Sequence, residues 1–579
     1  MDYQFADDGP RYLASFRSQR REYGENHHPS RALPLTTREL LRYASRFHCY
    51  TPIVSYNVSG CQGEYLDSVC QRYTWETFYQ RCSQLYETLC NKWEIDYRQK
   101  IGPKRIVGTL LSNTLNHFEI AYTVTSAGWV FCPFNPKLDI ESLSYCIRES
   151  QPKVIFYERA FQSIVNDLQK RVDTRDDNGG VEWICVDNVY EYLIGSSSGT
   201  QVKWPYIDED TTATLCFSSG TTSRPRGVLQ SHRDLVVASM MSITPDGIGL
   251  RASDVLLILP GFYHACSWNL IWMSALTGCK VVLVDDFAAS DSFMTILDEI
   301  LEKEKVTVTA GVPVFWTYFL KYLQTHHYDS RSRGLDLQRI WISGASSNPL
   351  LISQYKQFHI DLIPSYGTAE THFCGCFAST KYEERPVEEV DYFLDRIRPL
   401  FGINVKIDQE DHEWNSQHNG ELYLRCTWLP RTYHARKGAR NVRSTTDSWG
   451  YFSTGDIGTI TSQGYLVILE KKQNIVKLNG NWVSSVLLEN IALGHPDILQ
   501  AACVSVFDDV LGDLCVIVLK KKDGSEIVET DIIKLYAERS YLPGYVIFIQ
   551  EFPMTSNDKI DKEVLKQIVY NMLHTLFDR

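Results

Sequence analysis

The stretch Thr214–His232, which reads TLCFSSGTTSRPRGVLQSH, is the most informative part of this chain. Its first apolar run ends at Phe217 and is typical of a buried β-strand. The run stops at a group of hydroxyl-bearing and glycine residues, and a second apolar piece leads to Ser231. Ser231 and Asp234, three residues apart, form the pattern of a helix capping box. We therefore predict a strand, a loop and a second apolar segment that leads into a helix.

The loop in this stretch has the composition of a polyphosphate-binding loop. Small residues let the backbone approach an anion closely, and backbone N–H and side-chain O–H groups can donate hydrogen bonds to it. Arg226 adds a positive charge. A surface loop rich in Ser, Thr and Gly is the alternative interpretation, and the chain lacks the Gly-Lys-Ser/Thr ending of the common P-loop. The candidate phosphate ligands are Ser218, Ser219, Gly220, Thr221, Thr222 and Arg226.

The same stretch closely resembles the phosphate-loop signature of the adenylate-forming superfamily, which includes acyl-CoA synthetases, coumarate–CoA ligases and luciferases. That signature runs Ser-Ser-Gly-Thr-Thr-Gly-x-Pro-Lys-Gly-Val. The chain departs from it at Ser223, where the signature has Gly, and at Arg226, where it has Lys. The change at Arg226 keeps the charge but alters its geometry. The positions that match are Ser218, Ser219, Gly220, Thr221, Thr222, Pro225, Gly227 and Val228.

The rest of the chain shows an alternation of strand-like and helix-like segments. Apolar runs such as Val154–Tyr157 and Lys280–Val284 are separated by stretches of helical character, as in βαβ units with mostly parallel sheets. After Phe401 the strands become shorter and are separated by polar turns. A strand pattern at Ala501–Val506 and an amphipathic helix from Lys562 onward mark the end of the chain.

These patterns and the resemblance together predict an α/β protein. We expect a large N-terminal region of mostly parallel βαβ sheets with a β-rich subdomain, and a small C-terminal α+β domain joined to it by a hinge. Residues 1–36 are polar and Arg-rich and are predicted to form a loosely ordered arm. The resemblance implies that residues 37–469 form the AMP-binding N-terminal domain and that residues 470–579 form a mobile C-terminal domain.

Composition and charge restrict the possible functions. Hydrophobic residues make up 44% of the 579 residues, as in an ordinary globular protein. The formal charge of −12 argues against a nucleic-acid binder with a general basic surface. The N-terminus lacks the apolar core of a signal peptide, and the 16 Cys show no repeated metal spacing. No apolar run reaches the ~18 residues of a membrane span, so we expect a cytoplasmic protein without an integral membrane segment.

The segment Pro364–Thr371 resembles the superfamily's Tyr-Gly-x-Thr-Glu segment. The resemblance implies that Tyr366, followed by Gly367, lies against adenine, and that Glu370 acts in catalysis by holding Mg²⁺. Ala369 stands where the superfamily has Thr, so a hydroxyl expected near the α-phosphate is missing. From the residues alone, an apolar strand end followed by a turn is the alternative interpretation.

Two further segments resemble ribose-binding and hinge motifs. Ser453–Asp456, inside WGYFSTGDIG, is similar to the superfamily's Trp-x-x-Thr-Gly-Asp, which implies that Asp456 accepts hydrogen bonds from both ribose hydroxyls.

Glu470–Gly480 resembles the superfamily's hinge segment. Lys471 stands where the superfamily has an Arg that makes a bidentate contact with the ribose, and Lys477 stands where the superfamily also has Lys. A lysine cannot reproduce the bidentate contact of an arginine. On charge alone, this segment is also typical of a solvated hairpin.

The segment Pro553–Ile560 resembles the superfamily's Pro-x-Thr-x-x-Gly-Lys-Ile. The resemblance implies that Lys559 is catalytic and bridges the substrate carboxylate and the α-phosphate as negative charge develops. Asp558 replaces the Gly of this pattern. Asp tolerates a left-handed backbone better than most residues, so the turn could keep its shape. Its carboxylate could instead pair with the Lys559 ammonium.

Two segments match the superfamily's acyl pocket. Pro260–Cys266 aligns with the segment that gates this pocket, and His264 there would orient the carboxylate or swing aside for the thiol. A structural histidine is the alternative interpretation. Gly344, in Ser343–Ser346, matches a turn that lies beside adenine and the acyl chain.

The resemblance implies an AMP-forming acid–thiol ligase, an acyl-CoA synthetase, that uses ATP, Mg²⁺ and CoA. A carboxylic acid would attack the α-phosphate of ATP to give an acyl-adenylate and pyrophosphate, and the CoA thiol would then displace AMP. Two alternatives stay open: an adenylating enzyme with a non-CoA acceptor, and a catalytically attenuated nucleotide-binding homologue. The second follows from Ala369, Lys471 and Asp558, which replace residues expected near the nucleotide. Medium-chain fatty acids and arylpropenoic acids are comparable candidates for the substrate.

Overall fold

The fold is known from a computed structural model of the protein. It describes residues 33–59, 66–93, 105–172, 180–197, 202–218, 225–285, 290–326, 335–344, 349–372, 376–377, 396–408, 419–434, 444–461, 464–472, 474, 476–478, 481–508, 512–522, 524–539, 541–555 and 560–577. The described strands are β1 (Pro52–Tyr56), β2 (Cys70–Thr74), β3 (Ile106–Leu110), β4 (Val130–Pro133), β5 (Val154–Tyr157), β6 (Glu182–Cys185), β7 (Thr212–Ser218), β8 (Arg226–Ser231), β9 (Val255–Ile258), β10 (Lys280–Val284), β11 (Val308–Gly311), β12 (Arg339–Ile342), β13 (Asp361–Tyr366), β14 (Cys376–Phe377), β15 (Arg396–Pro399), β16 (Ile403–Ile407), β17 (Gly420–Cys426), β18 (Phe452–Ile460), β19 (Leu466–Lys471), β20 (Val476–Leu478), β21 (Asn481–Val483), β22 (Ile498–Asp508), β23 (Gly512–Lys521) and β24 (Tyr545–Phe548). The described α-helices are Thr37–Phe47, Trp75–Lys92, Leu115–Ser126, Ile140–Ser150, Gln162–Val172, Val186–Gly195, His232–Ser242, Ala265–Thr277, Asp291–Glu304, Pro313–Thr325, Pro349–Lys356, Ser485–Leu493, Glu529–Ala537 and Lys562–Phe577.

The segments on either side of the predicted phosphate loop fold as expected. β7 and β8 form an antiparallel pair in which Ser218 lies opposite Arg226, and a helix follows β8 directly. The capping box at the start of this helix is complete. The Asp234 N–H donates to Ser231 Oγ over 3.1 Å, and the Ser231 N–H donates to Asp234 Oδ2 over 2.9 Å. The predicted strand, second segment and capped helix are therefore confirmed.

Two large sheets form the N-terminal part of the molecule. Within the described residues, six strands have the order β6-β5-β3-β4-β7-β8 and are parallel except for the last pair. Thirteen described strands have the order β16-β17-β18-β19-β15-β14-β13-β12-β11-β9-β10-β1-β2. Within this sheet the six neighbouring strands β13, β12, β11, β9, β10 and β1 pair parallel in that order. These pairings confirm the predicted parallel βαβ sheets.

The β-rich subdomain is continuous with the second sheet. β16, β17, β18, β19 and β15 pair antiparallel in that order, and β14 connects β15 to β13 by two further antiparallel pairings. The ends of β13, β18 and β19 consequently share one surface of the molecule. This arrangement matters for function, because the motif residues Tyr366 and Asp456 lie on β13 and β18.

The C-terminal part is a small α+β unit. Among its described strands, β23 pairs antiparallel with β22 and parallel with β24. Alternate residues of β22 enter two separate cores: Ala501 and Cys503 pack with Leu488 and Tyr536, whereas Ala502 and Val504 pack with the C-terminal helix. Both faces of this strand are therefore covered, which explains its continuous apolar sequence. The predicted α/β class with a small C-terminal α+β unit is confirmed.

In the described part of the protein, no helix has both the length and the apolar character that a bilayer crossing requires.

Candidate functional site

A cleft of about 990 Å³ lies between the N-terminal sheets and the C-terminal unit. Its walls come from the ends of β7, β13, β18 and β19 and from residues of the C-terminal unit. Several residues that the sequence singled out separately line this one cleft. They are Ser218, Arg226, His264, Gly344, Tyr366, Gly367, Ala369, Glu370, Asp456 and Lys471.

Some predicted site residues lie outside the described residues. Residues 219–224, between β7 and β8, are among them, and so are residues 556–559 before the C-terminal helix. For one predicted residue, Lys477, only the backbone position on β20 is described. Their roles stay predictions. The residues concerned are Ser219, Gly220, Thr221, Thr222, Asp558 and Lys559.

Tyr366 and Asp456 are in direct contact. The phenol of Tyr366, at the end of β13, donates a hydrogen bond of 2.6 Å to Oδ2 of Asp456. Asp456 is only 7% exposed, and its N–H donates to Thr454 Oγ1 over 3.1 Å. Gly455 has φ of 72°, a left-handed conformation that suits glycine. This turn inside β18 directs the carboxylate of Asp456 into the cleft.

Lys471 approaches the other oxygen of the same carboxylate. Asp456 and Lys471 are cross-strand neighbours in the β18–β19 pair, and Lys471 Nζ lies 3.7 Å from Asp456 Oδ1. The Lys471 side chain is 44% exposed. The ammonium is therefore distant and solvated, which makes it a weak partner for Asp456.

Glu370 occupies the same cleft beside an aromatic residue that the sequence did not identify. The phenol of Tyr433 donates a hydrogen bond of 2.8 Å to Oε1 of Glu370. The guanidinium of Arg226 lies over the Tyr433 ring, 5.9 Å from its centroid. Burial and the negative charge of Glu370 raise the pKa of Tyr433, so its hydroxyl stays protonated and donates.

The donor set around Glu370 fits a magnesium ion that is shared with substrate phosphates. Its carboxylate is 7% exposed, and among the described residues only Tyr433 donates a hydrogen bond to its side chain, on Oε1. The described residues contain no group of three or more acidic, His or Cys ligands. Mg²⁺ commonly binds to one or two carboxylates together with phosphate oxygens and water. A single carboxylate that shares the cleft with Ser218 and Arg226 is compatible with such a site.

Gln230 supports the backbone of the Glu370 segment. Its side-chain amide, on β8, donates to the carbonyl oxygens of Ala369 and Glu370, in each case over 3.3 Å. The methyl group of Ala369 packs against the core. Sequence reasoning missed Gln230, which is fully buried. An amide in the otherwise apolar segment before Ser231 is unusual, but the sequence does not show which carbonyl groups it contacts.

His264 lies at the start of a helix and is positioned by the turn before it. Asn113 holds this turn: its amide nitrogen donates to the Pro260 carbonyl over 2.8 Å, and its oxygen accepts from the Phe262 N–H over 3.1 Å. The imidazole of His264 packs against Tyr263 with ring centroids 4.6 Å apart. His264 thus faces the cleft from a rigid turn, while its chemical role stays a prediction.

A buried charge cluster lies where β19 meets the C-terminal unit. Lys562 Nζ lies 2.8 Å from Glu470 Oε2, 2.8 Å from Glu489 Oε1 and 2.7 Å from Ser485 Oγ. Burial alone would lower the pKa of Lys562, but the charges of Glu470 and Glu489 raise it above its usual value. Sequence reasoning did not identify Lys562, because nothing in its local pattern distinguishes it from a solvated helix residue.

Two family models match the chain. The one described as AMP-binding enzyme matches residues 61–434, and the one described as AMP-binding enzyme C-terminal domain matches residues 487–559. Curated relatives include a 3-methylmercaptopropionyl-CoA ligase of Ruegeria lacuscaerulensis, which is 28% identical over 92% of this chain and 97% of its own. A medium-chain-fatty-acid–CoA ligase of Ectopseudomonas oleovorans is 27% identical over 91% and 95%.

Solved structures give the same result for the fold. The anthranilate CoA ligase AuaEII in complex with anthranoyl-AMP has a TM-score of 0.78 at 18% identity and covers 93% of this chain and 98% of its own. ATP-bound MatB from Rhodopseudomonas palustris has a TM-score of 0.74 at 17% identity and covers 92% and 99%. The family models and the curated relatives confirm the predicted family and enzyme class, and the solved structures confirm the predicted fold.

Proposed function

Because the chain belongs to the family of AMP-binding enzymes, we propose that it is an ATP-dependent acid–CoA ligase. A carboxylic acid attacks the α-phosphate of ATP, which yields an acyl-adenylate and releases pyrophosphate. The CoA thiol then attacks the acyl carbon and displaces AMP. The observation that carries the proposal is the convergence of Tyr366, Glu370 and Asp456, from two separate motifs, on one cleft.

Asp456 and Tyr366 are proposed to hold the nucleoside. A carboxylate has two acceptor oxygens, so Asp456 can accept hydrogen bonds from both ribose hydroxyls. The hydrogen bond from Tyr366 fixes the rotation of this carboxylate and, at the same time, fixes the phenol ring that would lie against adenine. Gly344 and Gly367 leave room for the base on the same cleft. Lys471 adds a positive charge on the far side of Asp456.

Glu370 and the phosphate-loop residues are proposed to hold the triphosphate. Arg226 and Ser218 face the cleft from the two strands that flank the loop. Glu370 would hold Mg²⁺, which neutralises phosphate charge when it is bound. Gln230 donates to the main-chain carbonyls of Ala369 and Glu370, which fixes the position from which the Glu370 side chain enters the cleft.

The first step also needs a cation near the reacting carboxylate. We propose Lys559 for this role on the strength of its motif, with its ammonium between the acid and the α-phosphate. His264 would orient the acid from the turn held by Asn113. No proton has to be transferred in this step, because a carboxylate attacks and pyrophosphate leaves as an anion.

We further propose that residues 37–469 form the AMP-binding domain and that residues 470–579 form the mobile domain, with Glu470 at the swivel. The support is that Glu470 lies at the end of β19 and contacts Lys562 and Ser485, which belong to the C-terminal unit. Rotation at this point would let one site exclude water during adenylation and admit a thiol afterwards.

Acid–CoA ligation is tested by measuring AMP formation from MgATP and a panel of acids, with and without CoA. The names of the relatives suggest 3-methylmercaptopropionate and medium-chain fatty acids as the first members of the panel. Turnover that requires CoA supports the ligase. AMP formation that continues without CoA indicates a different acceptor, and nucleotide binding without AMP formation indicates an attenuated homologue. The cytoplasmic location expected from the sequence stays a prediction.

A further inference from the structure

We propose that Tyr433 is a positioning residue for the Glu370 carboxylate, and that it determines how strongly this carboxylate binds the magnesium ion of MgATP. The inference rests on the proposed function, because it takes Glu370 as the metal ligand. It goes beyond that function by naming a residue, Tyr433, for which neither the motifs nor the family resemblance gave any role.

The backbone of Tyr433 is fixed against the strand that leaves the phosphate loop. Tyr433 forms an antiparallel bridge with Val228 on β8. The next residue, His434, donates its N–H to the Gly227 carbonyl over 2.7 Å. The segments approach so closely that a Cβ at Gly227 would lie 2.8 Å from the His434 Cβ. These contacts hold the backbone of Tyr433 firmly against β8.

The side chain of Tyr433 lies between the two charged groups of this site. Its hydroxyl donates to Glu370 Oε1 over 2.8 Å, and Arg226 lies over its ring at 5.9 Å. The terminal torsion of a glutamate is otherwise soft and has no sharp rotamer. A single donor on one oxygen removes that freedom, because it fixes the carboxylate plane and leaves Oε2 for another ligand.

The consequence for metal binding follows from preorganisation. With the hydroxyl present, the carboxylate oxygen that faces the phosphates is held in place before MgATP arrives. Without the hydroxyl, the carboxylate has to be ordered by the metal itself, and the buried Oε1 loses its donor. The metal then has to supply the conformational entropy of ordering the side chain, so the Mg²⁺ requirement should rise roughly tenfold when the hydroxyl is removed.

The test is calorimetric titration of ATP into wild-type protein and the Tyr433→Phe variant at a series of Mg²⁺ concentrations. No acid is present, so nothing turns over. For Tyr433→Phe we expect that ATP binds as in the wild type when EDTA is present. The Mg²⁺ concentration that gives half of the Mg²⁺-dependent gain in affinity should be roughly tenfold higher. Tyr423→Phe is the matched control, because the Tyr423 side chain on β17 does not itself line the cleft, and it should behave as the wild type.

Three results would overturn the proposal. One is a Tyr433→Phe variant whose Mg²⁺ requirement is unchanged or lower than that of the wild type. Another is a wild-type ATP affinity that does not respond to Mg²⁺. The last is a Glu370→Gln variant that keeps the full Mg²⁺ response, a result that decides the matter even when Tyr433→Phe does not fold.

The proposal and the ligase function can fail separately. Calorimetry reports metal-dependent nucleotide binding, whereas the ligase function is judged by AMP formation with acids and CoA. A wild-type protein that binds MgATP but forms no AMP would contradict the ligase function and leave the comparison of Tyr433→Phe with Tyr423→Phe valid.

Discussion

Tyr366 donates a hydrogen bond of 2.6 Å to the carboxylate of Asp456, although 90 residues separate the two along the chain. The contact joins the parallel sheet, through β13, to the antiparallel β-rich subdomain, through β18. It also joins the residue predicted to face adenine to the residue predicted to hold the ribose. The proposed nucleoside site is therefore built from two motifs that position each other.

Tyr366→Phe should weaken AMP binding by roughly three- to tenfold, because it removes one hydrogen bond to a carboxylate but keeps the aromatic ring. Asp456→Asn should weaken AMP binding more strongly, since the ribose then loses its charged acceptor. Calorimetric titration with AMP measures both effects. Tyr190→Phe is the matched control, because Tyr190 donates to the buried carboxylate of Glu119 over 2.9 Å. That variant should lose stability and keep its AMP affinity. Equal AMP affinities in Tyr366→Phe and the wild type would contradict the assignment.

Lys471→Arg should strengthen nucleotide binding by several-fold, because a guanidinium is longer and can donate in a bidentate manner where the Lys471 ammonium stands 3.7 Å from Asp456. Lys471→Met should have the opposite effect. ATP affinity and KM for ATP are the measurements. Lys472→Arg provides the control, because Lys472 pairs with Glu421 at the surface over 2.9 Å. If Lys471→Arg and Lys472→Arg behave alike, Lys471 has no role at the nucleotide.

Lys562→Met should destabilise the C-terminal unit by about 3–5 kcal/mol, because it leaves the buried carboxylates of Glu470 and Glu489 without their cation. Urea unfolding of the full chain, followed by circular dichroism, measures the loss. Lys534→Met is the matched control: its partner Asp531 lies 3.8 Å away on an exposed helix face, and little change is expected. A similar result for the two variants would mean that the cluster is not a stabilising element.

Glu158 gives a pH prediction with a definite sign. Burial raises the pKa of its carboxyl from 4.5 to about 7, although hydrogen bonds from Ser112 act in the opposite direction. A group with a raised pKa in the folded state stabilises the protein fully below its unfolded pKa. That contribution is lost as the pH rises to about 7, by about 3 kcal/mol at most. Relative to the wild type, Glu158→Gln should therefore become more stable as the pH rises from 4.5 to 7.

Melting temperatures of the two proteins across this pH range check the prediction, and Glu304→Gln supplies the contrast. Burial alone would raise the pKa of Glu304, but hydrogen bonds from Arg72 and Lys280 lower it from 4.5 to about 2. Its stabilising effect is present above pH 4.5 and is lost as the pH falls towards 2. A difference between Glu158→Gln and the wild type that does not change with pH would contradict the assignment for Glu158.

The sequence predicted the elements and the motifs because their signals are local. The capping box of Ser231 and Asp234 is readable from a spacing of three residues, and the strand at Val154–Tyr157 is readable from its apolar run. The family signatures around Glu370 and Asp456 assign both residues to one nucleotide site from two short motifs alone. These features depend on short segments whose chemistry does not need the rest of the chain.

The contacts that complete the site could not be predicted in this way. Tyr433 reaches Glu370 across 63 residues, and Lys562 reaches Glu470 across 92 residues. Each depends on how the β-rich subdomain or the C-terminal unit is placed, which local periodicity does not encode. The role of Gln230 could not be predicted either, because its amide donates to carbonyl groups that another segment of the chain brings to it.

Activation of carboxylic acids with ATP in this cleft is best tested by pyrophosphate release from MgATP. The release is measured with short, medium-chain, long-chain and aromatic acids, and Asp456→Asn and Lys559→Ala are run beside the wild type. We expect release that requires one class of acid, falls strongly in both variants, and leads to CoA-dependent AMP formation. Release that is the same without any acid, or that is unchanged in Asp456→Asn, would contradict it.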